Sequence, residues 1–212
     1  MSKRILARID IQNDFCPGGS LAVPNGDQII PYINTLGDYD LVIDSADWHP
    51  TNHKSFASAH QNKKPFTDTI QLNGQEQRLW PAHCIAGTPG AEFKPGLSLT
   101  PSYIIHKGMD VNFENYSPFF NNPQGIQGEI LDSRGTIIPV VSLEQFLQQQ
   151  EVKDIDVVGL ATDYCVKAFV LDALKFGFNV RLLTQGCRGV DVNKNDSVNA
   201  IKTMWQNGAE VI

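Results

Sequence analysis

Apolar residues in this chain recur with two different periods. Ile5 to Ile9, Tyr39 to Asp44, Ser102 to His106, Ile155 to Gly159, Asn179 to Leu183 and Ala209 to Ile212 are short segments built around Ile, Val and Leu. Runs of that length and composition predict six buried strands. Between them the spacing changes to three and four. Ile29 to Leu36, Ser142 to Gln150, the segment carrying Val166, Phe169, Val170, Ala173 and Leu174, and Asp196 to Gln206 each place apolar residues on one helical face. Ser142 is a capping residue for its helix, with Glu144 in the first turn. Strands alternating with helices predict an α/β domain with a mostly parallel six-stranded sheet and helices on both faces. No repeat or linker divides it, so residues 1–212 are expected to form one domain. Two stretches, Pro50 to Pro101 and 108 to 136, are polar, Gly- and Pro-rich and without periodicity. Irregular segments that long in a compact domain are expected to build a site.

Composition narrows the function. With 42% hydrophobic and 19% charged residues the chain is globular, and a formal charge of −6 with no basic run argues against nucleic acid or an anionic membrane as a partner. The apolar runs are too short to span a bilayer. The opening MSKRILARIDIQ reaches Asp10 without an apolar signal-peptide core, so a cytoplasmic location is expected. Cys16, Cys84, Cys165 and Cys187 have no paired spacing, which fits reduced thiols.

In parallel sheets ligands bind beyond the carboxyl ends of the strands. Asp10 follows the first predicted strand, Asp47 and His49 the second, Lys107 the third and Cys165 the fourth. Cys165, in GLATDYC, sits at the start of a helix, where free backbone N–H groups favour a thiolate. Taken alone it reads better as a small buried hydrophobe, and the other strand ends shift that reading. Asp10 is a candidate base for that thiol, and Lys107 a candidate stabiliser of charge. Asp47 and His49, two apart in an extended segment, face the same way. Four of the five histidines fall between His49 and His83. Asp47, His49 and His83, with His53 nearby, form a donor set for Zn, Fe(II) or Mn. A thiol-redox role remains open at this stage, because Cys16 and Cys84 lie in the same loops.

The segments IDIQNDFCPGGSLAV, DSADWHPTNHKSF, LWPAHCIAGTPGAEF, IIHKGMD and GLATDYCVKAFVLDA, in this order, resemble the nicotinamidases of the isochorismatase-like cysteine hydrolases. The resemblance implies a three-layer α/β/α Rossmann-like fold. It also implies hydrolysis of nicotinamide, and of pyrazinamide, in NAD salvage, with one divalent metal ion. Asp10, Lys107 and Cys165 match the family triad, and Asp47, His49 and His83 its metal ligands. His53 matches a histidine that binds metal in some members only. Phe15 and Trp80 match aromatic residues that pack on the pyridine ring. Ala161 and Thr162 match the oxyanion turn, and the bond between them a cis position. Relatives that hydrolyse N-carbamoyl groups are the alternative, disfavoured by the metal set. Arg8 is a departure, standing where relatives carry an apolar residue. The oligomeric state is left open.

Overall fold

The computed structural model describes residues 2–119, 128–139 and 142–212. In chain order the strands are β1 (Lys3–Ile9), β2 (Leu41–Asp47), β3 (Thr69–Leu72), β4 (Gln75–Arg78), β5 (Tyr103–Lys107), β6 (Glu129–Asp132), β7 (Ile137–Ile138), β8 (Val152–Leu160), β9 (Asn179–Arg188) and β10 (Glu210–Val211). The helices are α1 (Ile30–Ile33), α2 (Leu143–Gln149), α3 (Lys167–Lys175) and α4 (Asp196–Gln206). The main sheet runs β10-β9-β8-β1-β2-β5-β6-β7, with β6 and β7 antiparallel and the remaining neighbours parallel.

Each face of the sheet is covered. Ile5, Ala7 and Ile9 of β1 point to the side that packs on Phe146 and Leu147 of α2, Phe169, Val170 and Ala173 of α3, and Ala200 and Met204 of α4. Leu6 points the other way, with Val42, Val158 and Leu160, toward Ile30 and Ile33 of α1 and the loop residues Phe15 and Trp80. This is the three-layer arrangement expected from continuous apolar strands buried on both sides. Ser142 caps α2 as predicted, accepting the N–H of Gln145 at 3.2 Å.

Among the described residues the sheet has eight strands, two more than the six predicted. The additional β6 and β7 fall in or next to the stretch read as irregular, of which residues 120–127 lie outside the described part. They are short, and β6 begins and ends on Glu129 and Asp132. β6 pairs with β5, where Glu129 meets His106 at 2.8 Å, and β7 pairs with β6; only Ile130 of the two strands is fully buried, too little for a periodic apolar signal. The β3–β4 hairpin likewise falls inside the long loop between β2 and β5.

Arg8 has a structural partner. It is 2% exposed and makes two hydrogen bonds to Asp44, Nε to Oδ1 at 2.6 Å and Nη2 to Oδ2 at 2.8 Å. The two residues are direct register partners across β1 and β2.

Candidate active site

Four adjacent strands, β8-β1-β2-β5, deliver the four expected groups to one edge. Asp10 is the first residue past β1, and its positive φ of 49° turns the chain out of the sheet. Its N–H donates to Ser45 O, and its Oδ1 accepts the Ser45 hydroxyl at 2.6 Å. Lys107 ends β5 in register with Asp47, the end of β2. The Lys107 ammonium lies 2.9 Å from Asp10 Oδ2, 2.5 Å from Asp47 Oδ1 and 3.5 Å from Cys165 Sγ. All four residues are buried. Burial opposes the charge on Lys107, but Asp10 and Asp47 hold its pKa well above the usual lysine value. Burial also opposes ionisation of Asp47, yet Lys107 and then His49 keep it well below the usual carboxylate range.

Cys165 sits in a single wide turn, Thr162–Val166, that leads into α3. Burial pushes its thiol well above the ordinary value, and Lys107 offsets only part of this. Burial therefore opposes the thiolate that the helix start favours, and the thiol calls for a base. Asp10 has the right character. Burial raises its pKa, with Lys107 opposing. Its buried Oδ2 faces the Lys107 ammonium at 2.9 Å. Asp10, Asp47 and Cys165 offer atoms within 4.8 Å of one another, which brings the Asp10 carboxylate close to the thiol.

The cis bond is one position earlier than the resemblance implies, at Leu160–Ala161 and not Ala161–Thr162. β8 runs through Leu160, so the reversal falls on the first bond beyond the strand. The Ala161 carbonyl then accepts the N–H groups of Tyr164 at 3.0 Å and Val166 at 3.1 Å, which winds the turn.

Asp47, His49 and His83 also converge, with donor atoms within 4.8 Å of one another. His49 Nδ1 is 2.8 Å from Gly108 O and His83 Nδ1 is 2.8 Å from Pro81 O. Each Nδ1–H therefore donates to a carbonyl, which turns each Nε2 toward Asp47 Oδ2, at 3.6 and 3.8 Å. Such outer hydrogen bonds are how metal-binding histidines are aimed. Among the described residues His49 Nε2 is buried with no hydrogen-bond partner, as suits a nitrogen that ligates a divalent ion. Gly108 is required beside it, since a Cβ there would lie 2.4 Å from His49 Cε1. His53 is not brought into this trio. Its ring is 4.4 Å from that of His49, but Nδ1 meets Ser55 Oγ at 2.7 Å and Nε2 meets Phe113 O at 3.1 Å.

Both sets open on one small cavity, Cys165 from the first and Asp47 and His83 from the second. Phe15 and Trp80 line it, with Asp47, His83, Ala161 and Cys165. So do residues that sequence reasoning missed, among them Glu114, Tyr116, Tyr164 and Val190. The Tyr116 hydroxyl accepts from Trp80 Nε1 at 3.0 Å and Gln77 Nε2 at 2.9 Å, fixing the aromatic wall. Glu114 lies 3.9 Å from His53 Nδ1, and against burial His49 and His53 hold its pKa below the usual value. Gln12 is a further omission. Its buried amide bonds the N–H and carbonyl of Asp47 at 2.9 and 2.8 Å and the carbonyl of Ala91 at 2.8 Å, fixing the end of β2. The clue for Glu114 and Tyr116 was an acid among aromatics in FENYSPF.

Comparison with known proteins agrees with this geometry. Residues 140–212 match the isochorismatase domain. The nicotinamidase of Escherichia coli (strain K12) is 41% identical over 99% of this chain and 94% of its own length. The solved structure of the Acinetobacter baumanii nicotinamidase/pyrazinamidase is 39% identical with a TM-score of 0.86, covering 100% of this chain and 96% of that one. The pyrazinamidase of Pyrococcus horikoshii, solved in complex with zinc, is 33% identical with a TM-score of 0.71, covering 99% and 98%. The chain belongs to the isochorismatase-like hydrolases, in the branch of the nicotinamidases and pyrazinamidases.

Proposed function

We propose that this chain hydrolyses nicotinamide to nicotinate and ammonia, and pyrazinamide in the same way, through a thioester on Cys165. One observation carries the proposal: a single small cavity is lined by Cys165, the rings of Phe15 and Trp80, and the metal-ligand candidates Asp47 and His83. That combination suits a flat heteroaromatic ring bearing a carboxamide. The ring packs on the aromatic wall. Asp47, His49 and His83 would hold a divalent ion, which would supply a Lewis acid to the ring nitrogen. Zinc is favoured by its presence in the related Pyrococcus structure, with iron and manganese also suited to the donors.

Asp10 Oδ2 takes the Cys165 proton, and Sγ attacks the carboxamide carbon. Backbone N–H groups of the Ala161–Cys165 turn receive the oxyanion. Lys107 stays protonated throughout and balances the negative charge passing between Asp10 and Cys165. The C–N bond breaks as Asp10 returns its proton to the departing nitrogen, which leaves as ammonia. Asp10 then deprotonates a water that attacks the thioester carbonyl, and collapse releases nicotinate and restores the thiol. The role is cytoplasmic recycling of nicotinamide toward NAD.

The test is ammonia release from nicotinamide and pyrazinamide by the purified chain, with and without a chelator. Activity that the chelator removes and divalent zinc, manganese or iron restores supports the proposal. No ammonia from either amide by the metal-loaded protein refutes it.

A further inference from the structure

The turn that carries Cys165 also holds a second segment in place, through a side chain with no part in the steps above. Asp163 is 3% exposed. Its Oδ1 accepts the N–H of Val190 at 3.0 Å and its Oδ2 the N–H of Asp191 at 2.8 Å. One carboxylate thus clasps two successive backbone amides, the charge-assisted kind of hydrogen bond. The clasped residues follow β9. Gly189 precedes them, and a Cβ there would lie 1.8 Å from Ser197 Oγ and 3.1 Å from Asp163 Oδ1, so only glycine admits this approach. Asp191, with φ of 49°, in turn accepts the N–H and hydroxyl of Ser197, both at 2.8 Å, which ties the segment to α4. Between these anchors stands Val190, a wall residue of the cavity that contains Cys165.

We propose that Asp163 is a positioning residue for substrate binding: by clasping the backbone at residues 190 and 191 it fixes the Val190 wall to the same turn that carries the nucleophile. The inference rests on the reading that this cavity takes nicotinamide. Val190 reaches the cavity from a loop, and loops hold a side chain less firmly than strands do. Referencing that loop to the nucleophile turn keeps the width of the cavity constant relative to Sγ. The effect belongs to binding of the ring and not to the covalent step, because neither Asp163 nor Val190 bonds Asp10, Lys107 or Cys165.

Asp163→Asn keeps the shape of the side chain but sets an NH2 group against one of the two N–H donors, so one clasp bond is lost. The expected result is a rise in KM for nicotinamide of about tenfold, the scale of one methylene-sized contact in an apolar pocket. The kcat per folded molecule should stay within about threefold, since uniform binding is what is lost. Val190→Ala should raise KM comparably, and the double variant should be no worse than the worse single, because both act through one wall. An unchanged KM with a fallen kcat, or additive losses in the double variant, overturns the proposal. Should Asp163→Asn fail to fold, amide exchange in the wild-type chain decides. The Val190 and Asp191 amides should exchange far more slowly than free peptide, and exchange at the free-peptide rate overturns the clasp. Absence of nicotinamide hydrolysis by the wild-type chain would count against the proposed function, and the clasp would still be judged by that exchange.

Discussion

Removing Arg8 tests whether the buried ion pair in the sheet sets the frame of the site. In Arg8→Met the aliphatic volume is largely kept, but Asp44 loses both of its hydrogen bonds to the guanidinium. Its carboxylate is then an uncompensated charge in the interior. Breaking a buried pair in this way costs about 3–5 kcal/mol. For a domain of this size that is a fall in Tm of roughly 6–20 °C, at about 2–4 °C per kcal/mol. Removing both charges should behave differently. Burial already raises the pKa of Asp44 even with Arg8 against it, so desolvation outweighs part of the attraction. Arg8→Met combined with Asp44→Leu should therefore lie within about 1 kcal/mol of wild type or above it.

The pH dependence follows from the same charge. In Arg8→Met the folded pKa of Asp44 rises further, so the folded state binds a proton that the unfolded chain releases. The variant's deficit should be smallest below the unfolded carboxylate value near 4 and should grow as pH rises through the folded value. Urea titrations of the four-protein cycle at pH 4.5 and 7 read all of this. A single variant within about 1 kcal/mol of wild type at pH 7, or a double variant carrying the sum of both losses, would refute the reasoning.

The proposed chemistry makes further expectations. Cys165→Ala should abolish turnover while nicotinamide still binds, and mass spectrometry of quenched wild type should find an acyl adduct on Cys165; substantial activity in the variant rules out the thioester. Asp10→Asn and Lys107→Ala should each lower kcat by about three orders of magnitude or more, with little further loss when combined with Cys165→Ala, because the three act as a unit. A double variant far slower than Cys165→Ala alone would show independent action. Metal removal should end ammonia release yet leave Cys165 open to a small alkylating agent, and His49→Ala should mimic it; full activity in excess chelator, with no ion found by metal analysis, would dismiss the metal.

The strand ends were legible because a parallel strand buried on both faces is a continuous apolar run, and the site residues are polar interruptions at its end. Ile9 to Asp10 and Gly159 toward Cys165 both read this way. Arg8 was visible as an anomaly, and its partner was in reach. A charge inside a buried strand demands an opposite one, and Asp44 holds the equivalent place in the next strand. Gln12 and Asp163 were not legible, since their partners are backbone groups up to 79 residues away in sequence. At Cys165 burial works against the thiolate that the free N–H groups of a helix start favour, which is why the base legible in Asp10 is needed. His53 was placed near the trio correctly, but Ser55 and Phe113 engage both of its nitrogens.

The site has a division of labour that follows from the sheet. Asp10, Asp47 and Lys107 stand on or directly after three adjacent strands, and their mutual distances are a consequence of register: Ile9 opposite Ser45 and Asp47 opposite Lys107. Asp47 joins the two constellations, with Oδ1 on Lys107 and Oδ2 facing His49 and His83. The groups that shape the cavity arrive on loops instead and are fastened by carboxylate clasps. Asp14 accepts the N–H of Cys84 at 2.8 Å, tying the loop of Phe15 to that of His83, as Asp163 ties down Val190. Strands fix positions to fractions of an ångström, whereas loops can be exchanged without disturbing the sheet. Changes at the register pairs should therefore act first on the rate of the covalent step, and changes at the clasps on which amide is bound.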